Sequence, residues 1–332
     1  MPASPSHCAI CLAELAPPPS TAPPTDAVAL AYHPRCIREL FGTPTLPRLD
    51  LDTGEVMAAA TAMAGKMSIS GFQQKISMAL TTDHSALVSA PAGGRFILKP
   101  QITTPLVPEN EHVTMRMAKR AGVDIPPCGM VRLRDGALAY IVARFDRLED
   151  GSKLHVEDFC QLAELPPSQK YHQTADLCVR LLRQYATEPT VAVYALFRYL
   201  VFSYCVANGD LHLKNLSLLR QPDGTRVLAP AYDLVNTQLA IGDQKFAMLV
   251  GGADGPIRRS RWEQLAAYAR IPPKAANLAL STQVRALEPM VALIRASFLP
   301  PEAQVKYERM VRERTGLIGP AGPDDEESPA TT

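Results

Sequence analysis

Four side chains of unlike chemistry crowd into the stretch "NGDLHLKN": Asp210, His212, Lys214 and Asn215. They follow directly on Val191 to Ala207, the most apolar run of the chain. A carboxylate, an ammonium and an amide buried together without partners would be costly. Such a cluster therefore faces water as an ordinary loop, or lines a site that has its own ligand. Phosphoryl transfer calls for this kind of set. One carboxylate orients the attacking hydroxyl, and Asp and Asn oxygens hold magnesium against the phosphates. A second acid is then required on a neighbouring strand, and Asp233 in "LAPAYDLVN" follows an apolar, strand-like run.

The spacing supports that chemistry. Asp210 and Asn215 are five apart, as are Asp and Asn in the H-R-D-x-x-x-x-N loop of protein kinases, and Asp233 stands where D-F-G stands. A single acid after a strand would be weak, because Asp is common in turns; the pair is stronger. A lysine on a strand is also needed for the α- and β-phosphates, with a helix acid to hold it. Lys99 ends the apolar run "FILKP" and Glu111 heads the following helical pattern. Taken alone, Lys99 reads as a surface lysine at a strand end. Glu109 lies close to Glu111, and both acids suit a helix N-terminus. The segment "KMSISGFQQK" has one glycine, which makes it a weak phosphate loop. Its Ser70, Gly71, Phe72, Gln73, Gln74 and Lys75 are the nucleotide-facing candidates.

These residues need elements to carry them. "KISMAL" alternates, "RFILKP" is a short apolar run, and "ALAYIVARF" is strand-like again. Between the last two, Val113, Met117, Ala118 and Ala121 recur at helical spacing. The order strand, strand, helix, strand predicts a small α+β lobe over 46–147. Helical patterns near 174–186, 191–207, 260–270, 274–296 and 301–315 predict a mostly helical lobe over 148–318. A hairpin interrupts it, with "LSLL" and "RVLAPAYDL" flanking the turn "QPDG". The acidic, Pro-rich tail 319–332 reads as disordered. Arg144, Asp146 and Arg147 in "VARFDR" read as an ion-paired turn between the lobes.

Residues 1–45 form a separate unit. Cys8 and Cys11 make one x2-spaced pair and His33 and Cys36 another, joined by the Pro-rich connector "APPPSTAPPTDA". Each pair can chelate one face of a tetrahedral zinc, and a segment too small for its own core needs such a staple. Four protein ligands leave no open position, so the zinc is expected to be structural. The bland alternative is a pair of inert cysteines in a flexible arm. His7 adjoins Cys8 and would crowd the metal.

Composition sets outer limits. The chain has 332 residues, 47% hydrophobic and 20% charged, and a net charge of +1. That balance carries no electrostatic footprint for nucleic acid or an anionic membrane. The N-terminus lacks a signal-peptide succession, and Arg198 interrupts the apolar run, which is shorter than a bilayer needs. The cytoplasm and no membrane partner are expected. The odd number of cysteines, seven, argues against a disulfide framework.

The motifs "SISGFQQKI", "FILKP", "NEHVTMRMAKRAG", "ARFDR", "HVEDFCQLAELPPSQKY", "NGDLHLKNLSLL" and "PAYDL" occur in that order from about Ser68 to Thr237. In this register the chain resembles the HipA-type serine/threonine kinases of bacterial toxin–antitoxin systems. The resemblance implies a bilobal, protein-kinase-like α+β fold, ATP and magnesium as cofactors, and an aminoacyl-tRNA synthetase as the phosphorylated protein. It implies a helix-turn-helix antitoxin, through which alone DNA would be met. It casts Asp210 as catalytic base, Asn215 and Asp233 as magnesium ligands, Lys99 as the ATP lysine, His212 and Lys214 on the phosphate side, and Ala143, Arg144 and Phe145 as the adenine hinge. Ser68 and Ser70 stand where family members autophosphorylate. Only 67 residues precede Ser68, and this compactness resembles HipT, in which a separate small protein supplies the missing subdomain. Two other readings stay open: a small-molecule phosphotransferase, which uses a similar D-x-x-x-x-N loop, and a catalytically idle, zinc-containing scaffold.

Overall fold

The computed structural model describes residues 6–16, 30–63, 75–101, 104–171, 173–242 and 245–320. After the N-terminal knuckle come helices α1 (Pro34–Phe41) and α2 (Thr53–Met63), then strands β1 (Ile76–Leu80), β2 (Leu87–Ser89) and β3 (Phe96–Pro100). Helix α3 (Val107–Arg120) and strands β4 (Cys128–Arg132) and β5 (Leu138–Ala143) complete this lobe. Its sheet has the order β2-β1-β3-β5-β4 and is antiparallel throughout, with Lys99 opposite Tyr140.

The sheet has two strands more than the predicted strand, strand, helix, strand order. Strand β2 is a three-residue edge strand, too short to show a period. Strand β4, "CGMVR", hides behind a pair of prolines and an internal glycine, which normally weaken a strand.

Alternation along the strands explains the packing. On one face Ile97, Lys99, Cys128, Met130, Tyr140 and Val142 look toward α3 and the interlobe cleft; on the other, Phe96, Leu98, Val131, Ala139 and Ile141 join a second core. That outer face is covered by Cys36, Ile37, Leu40 and Phe41 of α1 and Val56 and Ala60 of α2. The rings of Phe41 and Phe96 lie 5.6 Å apart.

The helical lobe begins with β6 (Val156–Asp158), α4 (Phe159–Leu162) and β7 (Gln173–Thr174). It continues through α5 (Ala175–Tyr185), α6 (Pro189–Cys205), β8 (Ser217–Arg220), β9 (Arg226–Leu228), α7 (Thr237–Ile241) and β10 (Met248–Leu249). Helices α8 (Arg259–Tyr268), α9 (Pro273–Arg295) and α10 (Pro301–Gly316) close it. The expected hairpin is present as β8–β9, closed by Gln221 N–H donating to the Thr225 carbonyl at 2.8 Å. Strand β6 joins it to make a three-stranded sheet. Helix α6, opened by Pro189 in its first turn, is the buried axis of the lobe. Among the described residues no helix is long and apolar enough to cross a membrane.

Candidate active site

Helix α6 ends at Cys205, and the chain reverses through Ala207, whose φ of 56° lies in the left-handed region. The reversal is held by side chains. The Asn208 Oδ1 accepts from Asp210 N–H at 3.1 Å, and Gly209 N–H donates to Thr237 Oγ1 at 2.8 Å. Asn215 Nδ2 donates to the Asp210 carbonyl at 2.8 Å, which leaves its side-chain oxygen as the end not used in that bond. Tyr232 ties this loop to the strand leading to Asp233: its hydroxyl donates to the Lys214 carbonyl at 3.0 Å and lies 2.6 Å from Ser217 Oγ. Asp233 itself has φ 55°, a conformation of small population that Asp tolerates better than most side chains. The second acid thus arrives beside the loop, but on irregular backbone five residues past β9 rather than on a strand as the sequence suggests.

A cavity of about 350 Å³ lies between the lobes. Ile97, Met115, Val142 and Val156 give it apolar walls, while Lys75, Lys99, Glu111 and Asp233 bring charge. Lys99 Nζ lies 2.6 Å from Glu111 Oε1 and also contacts Asp233 Oδ1. Glu111, rather than Glu109, is thus the helix acid that meets the strand lysine. Of the stretch Ala143 to Phe145, all three residues line the cavity. The amides of Ala143 and Arg144 already donate to the carbonyls of Pro127 and Arg95, each at 2.8 Å. Arg144 and Arg147 grip Asp146 at 2.6–2.9 Å, the ion-paired turn anticipated from their spelling.

Burial and charge act against each other here. Burial pushes Asp233 up, but Lys99 and Lys75 outweigh it and hold its carboxyl down at about 2. Glu111 is the second carboxylate against one ammonium; burial dominates and raises it to about 7 despite Lys99. Burial likewise lowers Lys75 and His212. The linkage sign for Glu111 follows. Its folded pKa exceeds its ordinary value of 4.5, so its contribution to stability is complete below that value and is lost as pH rises through about 7. Urea-unfolding midpoints are expected to fall between pH 5 and 8 in the wild type. In Glu111→Gln that fall should be much reduced; an unchanged pH slope in the variant would refute the assignment.

Two side chains of this site carried no functional reading in the sequence. Tyr171 donates its hydroxyl to Asp210 Oδ1 at 2.7 Å and sets its ring edge-on to His212, with centroids 4.9 Å apart. It closes the motif "HVEDFCQLAELPPSQKY", but its partner is 39 residues away, so no local spacing pairs the two. Asp158 accepts from Lys214 Nζ at 2.6 Å through one oxygen and caps α4 through the other, in a reciprocal capping box with Gln161. The capping box in "EDFCQL" was a readable signal. His212 Nε2 lies 3.7 Å from Asp210 Oδ1. Ser68, Ser70, Gly71, Phe72, Gln73 and Gln74 lie outside the described residues. Lys75, the last of that segment, lines the cavity.

The four N-terminal candidates converge as well. The ligand atoms of Cys8, Cys11, His33 and Cys36 all lie within 4.8 Å of one another. His33 Nδ1 faces the sulfurs, 3.3 Å from Cys11 and 4.0 Å from Cys36, and Nε2 lies 3.2 Å from the Glu14 carbonyl. That carbonyl selects the tautomer whose Nδ1 lone pair points at the sulfurs, as metal-ligating histidines require. The backbone N–H of His33 donates to Cys8 Sγ at 3.3 Å. Three thiols and an oriented imidazole fit zinc in ligand type and number.

Comparison with known proteins identifies the family and the fold. The profile of the HipA-like C-terminal domain matches residues 67–291, well over half of the chain. A Sinorhizobium fredii protein provisionally named a kinase is 35% identical over 197 residues, covering 56% of this chain and 46% of the relative. A Haemophilus influenzae protein, named in the same way, is 28% identical over 202 residues, covering 57% and 58%. The matches thus span about half the length of these curated relatives. Among solved structures, Shewanella oneidensis HipA, determined with HipB and operator DNA, superposes with a TM-score of 0.62 at 21% identity, covering 76% of this chain and 66% of that one. The Helicobacter pylori proinflammatory kinase CtkA gives 0.52 at 15% identity, covering 67% and 87%. The chain shares its α+β fold with those two structures. The chain belongs to the HipA-like C-terminal domain family.

Proposed function

We propose that the protein is an ATP-dependent protein serine/threonine kinase of the HipA and HipT type. The observation that carries this reading is the meeting of Lys99, Glu111 and Asp233 in one cavity whose wall also includes Lys214 of the Asp210–Asn215 loop, tied to Tyr232 beside Asp233. Lys99, held by Glu111, would bind the α- and β-phosphates. Asp233, kept ionised, and the Asn215 side-chain oxygen offer the hard oxygen donors that suit magnesium, which when bound supplies charge neutralisation at the β- and γ-phosphates. Asp210 is 46% exposed at its side chain, open to an acceptor hydroxyl. As the acceptor oxygen bonds to the γ-phosphorus and the bond to the β–γ bridging oxygen breaks, Asp210 takes the hydroxyl proton and ADP leaves. Lys214 on Asp158 and His212 beside Asp210 would hold the phosphate side.

One feature weighs against a small-molecule phosphotransferase with a cationic acceptor. Each acid lining the cavity stands against a cation of the chain: Asp158 against Lys214, Asp146 against Arg144 and Arg147, and Glu111 and Asp233 against Lys99. Among the described residues the cavity thus offers no surplus carboxylate cluster for such a substrate. By the family relationship we further propose an aminoacyl-tRNA synthetase as substrate, a helix-turn-helix antitoxin as inhibitor, and a small third protein that supplies an N-terminal subdomain. The Cys8, Cys11, His33 and Cys36 cluster is proposed to hold one structural zinc.

Incubation with magnesium and γ-labelled ATP is expected to label the chain on Ser68 or Ser70, placing about −1.5 to −2 charges beside the nucleotide. Phosphopeptide mapping reads the position. A Ser68→Ala, Ser70→Ala double variant that labels as strongly as wild type would refute the site, and a chain that neither labels itself nor turns over ATP would refute the kinase reading.

A further inference from the structure

The N-terminal knuckle lies against edge strand β4, through the Met130 amide, and reaches from there to the helix that carries Glu111. Helix α3 presents three faces. Asn110 and Thr114 bind the helical lobe, through Asn236 at 2.9 Å in both directions and Tyr307 at 2.7 Å. Glu111 and Met115 face the cavity. His112 and Lys119, seven apart on a third face, both reach the N-terminal unit. His112 Nε2, fully buried, donates to the Ile10 carbonyl at 3.0 Å, and Lys119 Nζ meets Glu39 of α1 at 2.5 Å.

Ile10 lies inside the Cys8–Cys11 turn itself. Around it the contact with the sheet is tight. Met130 N–H donates to the Ala9 carbonyl at 2.8 Å, and Tyr32, next to His33, donates its hydroxyl to the Met130 carbonyl at 3.0 Å. A Cβ on Gly129 would stand 2.7 Å from Ile10 Cγ1 and 3.3 Å from the Ala9 carbonyl, so the turn rests directly on strand β4. Position 112 is also an unusual place for a histidine. Its Nδ1 is buried without a partner, and burial pushes the ring down to about 3, so it stays a neutral donor at Nε2. A buried imidazole with one spent and one orphaned nitrogen is a poor core residue unless its single bond matters.

We propose that the metal-holding turn is a clamp on α3, with His112 the positioning residue that transmits the fixed path of residues 8–12 to the neighbouring Glu111. Without the metal, the Cys8–Cys11 turn keeps its backbone bonds to Ala13, Ala31 and Met130, but Cys8 and Cys11 lose the tie that joins them to His33 and Cys36. The Ile10 carbonyl is then held less firmly, and α3 is left with its bonds to the helical lobe, the Glu111–Lys99 pair and the exposed Lys119–Glu39 pair. Glu111 can swing from Lys99. The inference rests on the proposed zinc site and, for its effect on nucleotide, on the proposed kinase reading; the test separates them.

Zinc content and amide hydrogen exchange would be measured on the full chain, as purified and after 1,10-phenanthroline, together with His112→Leu and His112→Gln. Glutamine can place its amide near the position of Nε2. Exchange across 111–120 is expected to quicken about tenfold after zinc removal and in His112→Leu, the scale of one buried hydrogen bond. Helix α5, remote from the turn, should be unchanged, His112→Leu should keep its zinc, and His112→Gln should restore protection. Loss of protection in α5 equal to that in α3 would mean general destabilisation and overturn the clamp. So would unchanged protection of 111–120 in zinc-loaded His112→Leu, or a wild-type chain that binds no zinc. For the link to Glu111, a fluorescent ATP analogue should bind more weakly to His112→Leu, and the difference should vanish in a Glu111→Gln background. Additive losses would overturn that link. A wild type that binds no nucleotide would refute the kinase reading while the exchange data still decide the clamp.

Discussion

Asp210→Asn is expected to lower phosphate transfer from γ-labelled ATP by roughly 10² or more, the scale on which losing one group that stabilises a transition state is felt. The fold should survive it. Asparagine keeps an oxygen that can accept from Tyr171, whose hydroxyl now sits 2.7 Å from Oδ1, and Asp210 lies in a loop held by Asn208, Gly209 and Asn215 rather than by its own carboxylate. What asparagine cannot do is take a proton from an incoming hydroxyl. The measurement is the initial rate of label incorporation, with thermal unfolding alongside. Labelling equal to wild type by a folded variant would remove Asp210 as the base and with it the mechanism. A loss of label with a matching loss of fold would reassign Asp210 to structure.

Lys99→Met should produce the largest stability change, because it takes the ammonium from between two carboxylates. Lys99 and Glu111 are buried at 4% and 1% side-chain exposure. Removing one partner of a buried pair costs about 3–5 kcal/mol, since the other charge stays desolvated and alone. Protonation is the escape. Glu111 already sits at about 7 with Lys99 in place; without it, burial and Asp233 act unopposed by that ammonium and push it further up. The destabilisation relative to wild type is therefore expected to be smaller at pH 5.5 than at pH 8, and nucleotide binding should be lost at both. Urea titrations at the two pH values provide the check. The same destabilisation at both would show that these carboxylates are not ionised against Lys99 and would remove the charge balance proposed for the site.

Helix α3 is held by polar bonds from three directions, each through one or two side chains. Asn110 binds Asn236 just beyond Asp233, Glu111 binds Lys99 from the sheet, and His112 binds the Cys8–Cys11 turn. Three consecutive residues thus report three different parts of the molecule to one helix. A small movement of any part alters the position of Glu111, which gives a physical reason for a partner or a modification near this region to control activity without touching the Asp210 loop.

Local chemistry was legible in the sequence wherever spacing alone specifies it. Asp210 and Asn215, five positions apart, fall in one short segment, and the alternation of "KISMAL" and the apolar, strand-like runs "RFILKP" and "ALAYIVARF" mark strands that now pair in one sheet. The Cys8–Cys11 and His33–Cys36 pairs are likewise set by chain geometry, and the structure brings them within 4.8 Å across their connector. What spacing could not decide was which distant groups meet. Glu111 and Glu109 are equally good helix-start acids, and only the docking of α3 on the sheet sends Glu111 to Lys99. Tyr171 reaches Asp210 and His112 reaches Ile10 across 39 and 102 residues, separations over which no periodicity or cap carries information. Such pairings are settled by packing, because a buried polar atom must find its partner wherever the fold has placed one.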